Sequence, residues 1–300
     1  MFVIKYRIVF FVISILLLLG SVFMMVRYGF NFGIDFKGGS ILEVSYPNGR
    51  PALEEVRKEI DALSIGGYSV QPIGNSSYVV RSKELNSEEK TVLLKSLSSD
   101  GKTQVIEQRF NTIGPVVGNE LKNKAYLAII FVILGIVLFI TFAFRKVSEP
   151  VSSWKYGLAT VISLAHDVVI PIGIFIFYGL YTSAEIDVLF VTALLAILGY
   201  SVHDTIVVFD RVRENLRINR EQRIKENFET TVGKSVSQTF GRSINTSLTI
   251  FLVLIALYLI GGESTRNFAF ILLVGVIAGT YSSIFLASPL LVLMEKLQRK

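Results

Sequence analysis

Cysteine is absent from the 300 residues, which removes disulfides, thiolate metal sites and thiol nucleophiles together. Histidine is nearly absent: His166 and His203 are the two imidazoles, and neither lies in a metal-ligand spacing such as His-Glu-x-x-His. No metal and no other cofactor is expected. Gly-x-Ser-x-Gly is missing as well. Gly233-Lys234-Ser235 has the ending of a phosphate-binding loop, but the earlier glycine of that loop falls on Phe228. The glycines from Gly29 to Gly39 do not keep dinucleotide-binding spacing. These gaps exclude the common nucleotide-driven and hydrolytic chemistries. No catalytic residue is assigned and no enzyme activity is expected.

Charge is scarce too, at 18% of residues, and it leans basic with a net +6. In a soluble protein a pI of about 9.4 would point to nucleic acid. Here the cations flank apolar runs, where orientation in a membrane is the simpler cause. No nucleic-acid partner is expected; membrane lipid is.

What the chain has in plenty is apolar sequence, 51% of residues. A bilayer core takes about 20 apolar residues per helix. Runs at roughly 8–26, 125–144, 156–181, 188–209, 244–260 and 268–294 reach or approach that length. Unpaired backbone groups in lipid are costly, so these runs are expected as helices; they are too continuous for barrel strands. The first follows Lys5 and Arg7, exceeds a signal-peptide core in length and lacks a small-x-small cleavage site, so it reads as a retained helix.

Lys and Arg set the orientation. They cluster before the first span, at Arg145, Lys146 and Lys155, from Arg211 to Arg242, and at Lys296, Arg299 and Lys300. Both termini are therefore expected on the cytoplasmic side of the membrane. The expected organisation is a first helix at 1–27, an extracytoplasmic domain at 28–124, and a five-helix unit at 125–300 with a cytoplasmic loop at about 210–242. Within 28–124 the pattern runs strand, helix, strand, strand, helix, strand. Leu53, Val56, Ile60 and Leu63 recur at helical spacing after Pro51, which is placed to open that helix. This order predicts a small ferredoxin-like α+β domain attached to a six-helix membrane protein.

Ionisable side chains at membrane depth are expensive and functional by default. Asp204 stands out in Gly199-Tyr200-Ser201-Val202-His203-Asp204-Thr205. Tyr200, Ser201 and Asp204 share a helix face with Thr205 beside it, and Gly199 offers room for a neighbouring helix. A carboxyl sheltered from lipid and water can load and release a proton; the plainer reading is a neutral Asp packing helices. Arg242 opens the fifth span, where an interfacial anchor is the simpler role from spacing alone. Asp167, one turn after Ser163 and one before Pro171, reads equally as a relay or a packing group. His166 and His203 each precede an aspartate, and neighbours on a helix are not expected to pair.

These residues carry a resemblance. Gly33-Ile34-Asp35-Phe36-Lys37-Gly38-Gly39 is similar to the GxDFxGG signature of the SecD/SecF family, with Gly33, Asp35, Phe36, Gly38 and Gly39 as its fixed positions. Segments 114–121, 199–215, 242–247 and 279–284 fit the same family, so the resemblance covers the whole chain. It implies an accessory subunit of protein export, in the resistance-nodulation-division superfamily, coupling proton movement to polypeptide transport. The implied partners are a separate SecD, the SecYEG channel, YajC and the translocating polypeptide. The implied proton relay is Asp204 with Arg242, while Tyr200, Ser201, Thr205, Asp167 and His203 stand as relay or packing candidates. His203 departs from the Asn usual at its position. Two other readings compete: a proton-driven small-molecule or lipid exporter of the same superfamily, and an intramembrane aspartyl protease built on Asp167 and Asp204.

Overall fold

The computed structural model describes residues 2–63, 65–99, 101, 103–144, 151–182 and 184–298. Arg145, Lys146, Arg299 and Lys300, counted above among the flanking cations, lie outside them. In chain order the elements are α1 (Phe2–Lys5), α2 (Arg7–Tyr28), α3 (Ile34–Lys37), β1 (Gly39–Ser45), α4 (Leu53–Asp61), β2 (Tyr68–Ile73), β3 (Ser77–Ser82), α5 (Ser87–Leu97) and β4 (Ile106–Ile113). Then come α6 (Pro115–Ala143), α7 (Ser153–Thr182), α8 (Val188–Glu221), α9 (Phe228–Ile260), α10 (Glu263–Ser282), a π-helical turn (Ser283–Ala287) and α11 (Ser288–Gln298). The chain divides into two compact units: Phe32–Tyr126, and Met1–Asn31 with Leu127–Lys300.

The smaller unit is an antiparallel sheet in the order β2-β3-β1-β4 with two helices, the split βαβ arrangement. Alternation on the strands sends Leu42, Val44, Val70 and Val80 to one face. There they meet Val56 and Ile60 of α4 and Leu93 and Leu97 of α5, all buried. The α5 start is a full capping box: Asn86 accepts from the Glu89 amide at 2.8 Å, and Glu89 accepts from the Asn86 amide at 2.9 Å. Pro51 does not open α4 as expected. Its carbonyl accepts the Tyr78 hydroxyl at 2.7 Å, and Ala52 is the extended residue before Leu53.

The second unit contains six helical segments long and apolar enough to cross a membrane. They fall in two classes. The apolar stretches of α7, α8 and the α10–α11 segment are about half buried or more, whereas in those of α2, α6 and α9 few residues are buried. The buried helices are the ones carrying Asp167, Ser201, Asp204, Ser282 and Ser283, because polar side chains seek partners away from lipid.

The expected loop at 210–242 is instead helical on both sides of a short turn at 222–227. Hydropathy registers only the apolar half of each helix. The polar halves are held by Arg211–Glu214, Arg213–Asp210 and Arg217–Glu221 pairs along α8. They are joined by Asn215, whose amide donates to Ser235 Oγ and Gln238 Oε1, each at 2.8 Å. Likewise α6 begins at Pro115, ten residues before the apolar run, with proline at the first helical position. A Cβ added at Gly199 would have nothing within 4 Å, so Gly199 is not the close-approach site; Gly275 and Gly279 of α10 are, against Ile197 and Ser201 of α8.

Candidate functional site

The polar residues of the buried helices converge. Asp167 of α7 has no exposed surface and Asp204 of α8 is 5% exposed. Asp167 Oδ2 accepts from Ser201 Oγ of α8 and from Ser282 Oγ of α10, the latter at 2.6 Å. Asp204 Oδ2 accepts from Ser283 Oγ at 2.8 Å. Consecutive serines therefore serve carboxylates on two different helices. This works because neighbouring helix positions point about 100° apart. The π-helical turn starts at Ser283, and such turns release backbone carbonyls that an α-helix would bond internally. Here the Ser288 hydroxyl donates to the Ser283 carbonyl at 3.3 Å.

Each serine has a second acceptor. Ser282 Oγ also lies 3.1 Å from the Gly279 carbonyl, and Ser283 Oγ lies 3.1 Å from that of Thr280. A hydroxyl so placed can donate to an ionised carboxylate. When the acid is protonated it can turn to the backbone and accept instead.

The expectation that His166 and Asp167 do not pair is overturned. His166 Nδ1 lies 2.9 Å from Asp167 Oδ1, and both side chains are buried. Backbone directions diverge for adjacent helical residues, but the side chains are long enough to fold back toward each other. The His166 ring also stacks on Tyr281 of α10, centroids 5.8 Å apart.

The remaining candidates separate. Thr205 is buried beside Asp204. Tyr200 turns to α9, its hydroxyl 2.6 Å from Ser247 Oγ, which in turn sits 2.6 Å from Thr280 Oγ1. His203 lies on the exposed side of α8. Arg242 is exposed on α9 and, among the described residues, forms no ion pair. The structure therefore does not bring Arg242 to Asp204. Nor do Asp167 and Asp204 share a hydrogen bond with each other, which removes the arrangement an aspartyl protease needs. No group of three or more His, Cys, Asp or Glu suited to a metal ion occurs among the described residues.

The signature glycines lie in the smaller unit, and the structure gives them a packing role. Gly33 precedes α3, Phe36 is buried within it, and Gly38 and Gly39 have φ of +76° and +128°. A Cβ on Gly38 would stand 2.8 Å from Pro115 Cα, and one on Gly118 3.0 Å from the Gly38 amide. Two motifs far apart in sequence thus form one close backbone junction.

The profile described as "Protein export membrane protein SecD/SecF, C-terminal" matches residues 93–297, and the "SecD/SecF GG Motif" matches 23–46. The chain belongs to the SecD/SecF family. It is 41% identical to "Protein translocase subunit SecF" of Thermobaculum terrenum, over 98% of this chain and 93% of that protein. It is 39% identical to the protein of the same name from Anaerolinea thermophila, over 96% and 92%. A "Protein translocase subunit SecDF" of Brucella abortus is 36% identical over 93% of this chain, which spans 35% of that longer protein. The crystal structure of SecDF from Thermus thermophilus, titled a translocon-associated membrane protein, is similar with TM-score 0.83 and 29% identity. It covers 99% of this chain, which spans 38% of that one.

In this SecD/SecF chain, sequence reasoning found both buried aspartates but missed Ser282 and Ser283 as their partners. The signal was available: four consecutive hydroxyl residues, Thr280 to Ser283, inside the sixth apolar run.

Proposed function

We propose that the chain is a SecF-type accessory subunit of the Sec translocase in the bacterial inner membrane, and that protonation of Asp204 couples the proton gradient to polypeptide export. Its partners in this reading are a separate SecD, the SecYEG channel, YajC and the emerging polypeptide. The unit at 32–126 faces the extracytoplasmic side and both termini face the cytoplasm. The observation that carries the reading is a carboxylate buried among apolar helices with a hydroxyl as its partner, Asp204 with Ser283.

The chemistry is a change of charge at a fixed place. Ionised, Asp204 draws the Ser283 hydroxyl; protonated, it becomes a donor and Ser283 is free to bond its own helix at Thr280. The π-helical turn beginning there is the element whose geometry such a switch would bias. One charge crossing 100 mV yields about 2.3 kcal/mol, so a few protons match a substantial domain movement. The exposed position of Arg242 belongs to a state in which it does not neutralise Asp204; a role for it requires movement of α9 against α8.

The test uses inverted membrane vesicles bearing the complete complex. Preprotein release is measured with and without an imposed proton gradient. Asp204→Asn keeps the shape and the Ser283 contact but cannot ionise. The expected result is an assembled complex with export no faster with the gradient than without it. Full gradient stimulation in that variant refutes the proposal.

A further inference from the structure

Asp204 is one of two aspartates buried at membrane depth, and the other is the more enclosed. Asp167 has three hydrogen-bond partners from three directions: His166 on its own helix, Ser201 on α8 and Ser282 on α10. An ionised carboxylate buried without partners is prohibitively costly, so Asp167 needs a proton, a cation or several hydrogen-bond donors around it. The imidazole in contact is His166, at 2.9 Å. The pair therefore holds one exchangeable proton between two atoms.

The far side of the histidine is unfinished. His166 is 1% exposed, and its Nε2 has no hydrogen-bond partner. Ser163 Oγ, one turn earlier on the same face of α7, is also buried and unpartnered. Tyr281, stacked on the His166 ring, reaches α2 one turn from Ser14 by donating to the Phe10 carbonyl at 2.8 Å. Orphaned buried polar atoms are costly, and neighbouring ones mark a place for internal water.

We propose that His166 and Asp167 form a second proton station, open to internal water at His166 Nε2 and linked to Asp204 through the Ser282–Ser283 pair. The inference rests on the proton-coupled reading and extends it to residues on a third helix. Neutral His166 first donates its Nδ1 hydrogen to ionised Asp167. A proton from water adds at Nε2, giving imidazolium. The Nδ1 proton then passes to Asp167 Oδ1, leaving neutral acid and the Nε2–H tautomer. Ser282, no longer held by an anion, can turn to the Gly279 carbonyl 3.1 Å away. Since Ser282 and Ser283 are consecutive, that turn is felt where Ser283 meets Asp204.

The ionisable groups facing this station are few. From α8 comes Asp204, and from α10 comes Tyr281. The ionisable residues of α2, Arg7, Arg27 and Tyr28, stand at its two ends. α11 meets the opening turns of α7, where Lys155 Nζ donates to the Met294 carbonyl at 3.0 Å, and its Lys296 pairs with Glu229 of α9.

The full-length protein in lipid nanodiscs is titrated while infrared difference spectra record protonated carboxyl bands. Two buried-acid bands that titrate are expected. Asp167→Asn removes one; Asp204→Asn removes the other and alters the titration of the first. His166→Gln, which keeps a donor for Asp167 but cannot take a proton, slows proton exchange at the Asp167 band. A band lost in Asp167→Asn that persists unchanged across all pH is a packing carboxyl and overturns the proposal, as does an Asp167 that never protonates. If the Asp204 band titrates and the Asp167 band does not, this inference fails while the coupling role of Asp204 stands; if neither titrates, both fall. Should Asp167→Asn fail to fold, Ser282→Ala serves: it must shift the frequency of the Asp167 band, and an unmoved band overturns the linkage.

Discussion

Replacing Gly173 with alanine should loosen the first membrane helix from the site. Gly173 of α7 faces Ser21 of α2 so closely that an added Cβ would stand 2.3 Å from Ser21 Cβ and 2.4 Å from Ser21 Cα. Ordinary contact begins near 3.4 Å, so the two helices must part by about 1 Å. No rotamer relieves a clash with a Cα, which puts the cost at the upper end of about 1–3 kcal/mol for overpacking. Alanine returns up to about 1 kcal/mol of helix propensity. The net is about 2 kcal/mol, or roughly 4–8 °C in Tm if a chain this size follows the soluble-domain scale. Thermal unfolding of the purified full-length protein in detergent measures it. Gly199→Ala is the control, because nothing lies within 4 Å of its Cβ position; it should equal or exceed the parent. Adding Ser21→Gly to Gly173→Ala removes the Cβ contact but leaves the backbone one, so recovery should be partial. A Gly173→Ala protein as stable as Gly199→Ala would refute the reasoning.

Two further outcomes follow from local geometry. Gly39→Ala in the signature turn meets both a φ of +128° and a Ser82 carbonyl 2.6 Å from the new Cβ; it should lower the folded yield of the smaller unit, read by limited proteolysis, whereas Gly49→Ala, with no neighbour within 4 Å, should lower it less. Acidification should release the turn between α8 and α9. Glu226 accepts from Asn219 at 2.9 Å and Thr231 at 2.8 Å, and these hydrogen bonds hold its carboxyl below the ordinary Glu range. A depressed folded value means the stabilisation is complete above the unfolded value and fades as pH falls through the folded one. Proteolytic nicking at 222–227 should thus be faster in Glu226→Gln than in the parent at neutral pH, and the difference should vanish once the pH is taken below the ordinary Glu range and through the depressed folded value. A difference that survives acidification counts against the carboxylate.

Much of this molecule was written in one dimension. The six spans follow from apolar run length, since lipid forces any such run into a helix. The ferredoxin-like sheet follows from strand alternation around two amphipathic helices. Asp167 and Asp204 were legible because charge at membrane depth is conspicuous wherever it occurs.

Local composition could not reach further, for reasons that differ by residue. The helical hairpin at 210–242 was invisible because hydropathy reports solvent, and its stabilising contacts, such as Asn215 with Ser235, join residues on separate helices. The His166–Asp167 pair depends on side-chain torsions that spacing does not specify. Which serine serves which acid depends on the rotation and crossing of α7, α8 and α10, fixed by close packing at Gly275 and Gly279. The sequence alone determined that two aspartates lie at membrane depth in a helical protein. Only the tertiary structure decided that consecutive serines at a π-helical turn bind them separately and that Arg242 stands apart, because hydrogen bonds between helices are set by distances in space.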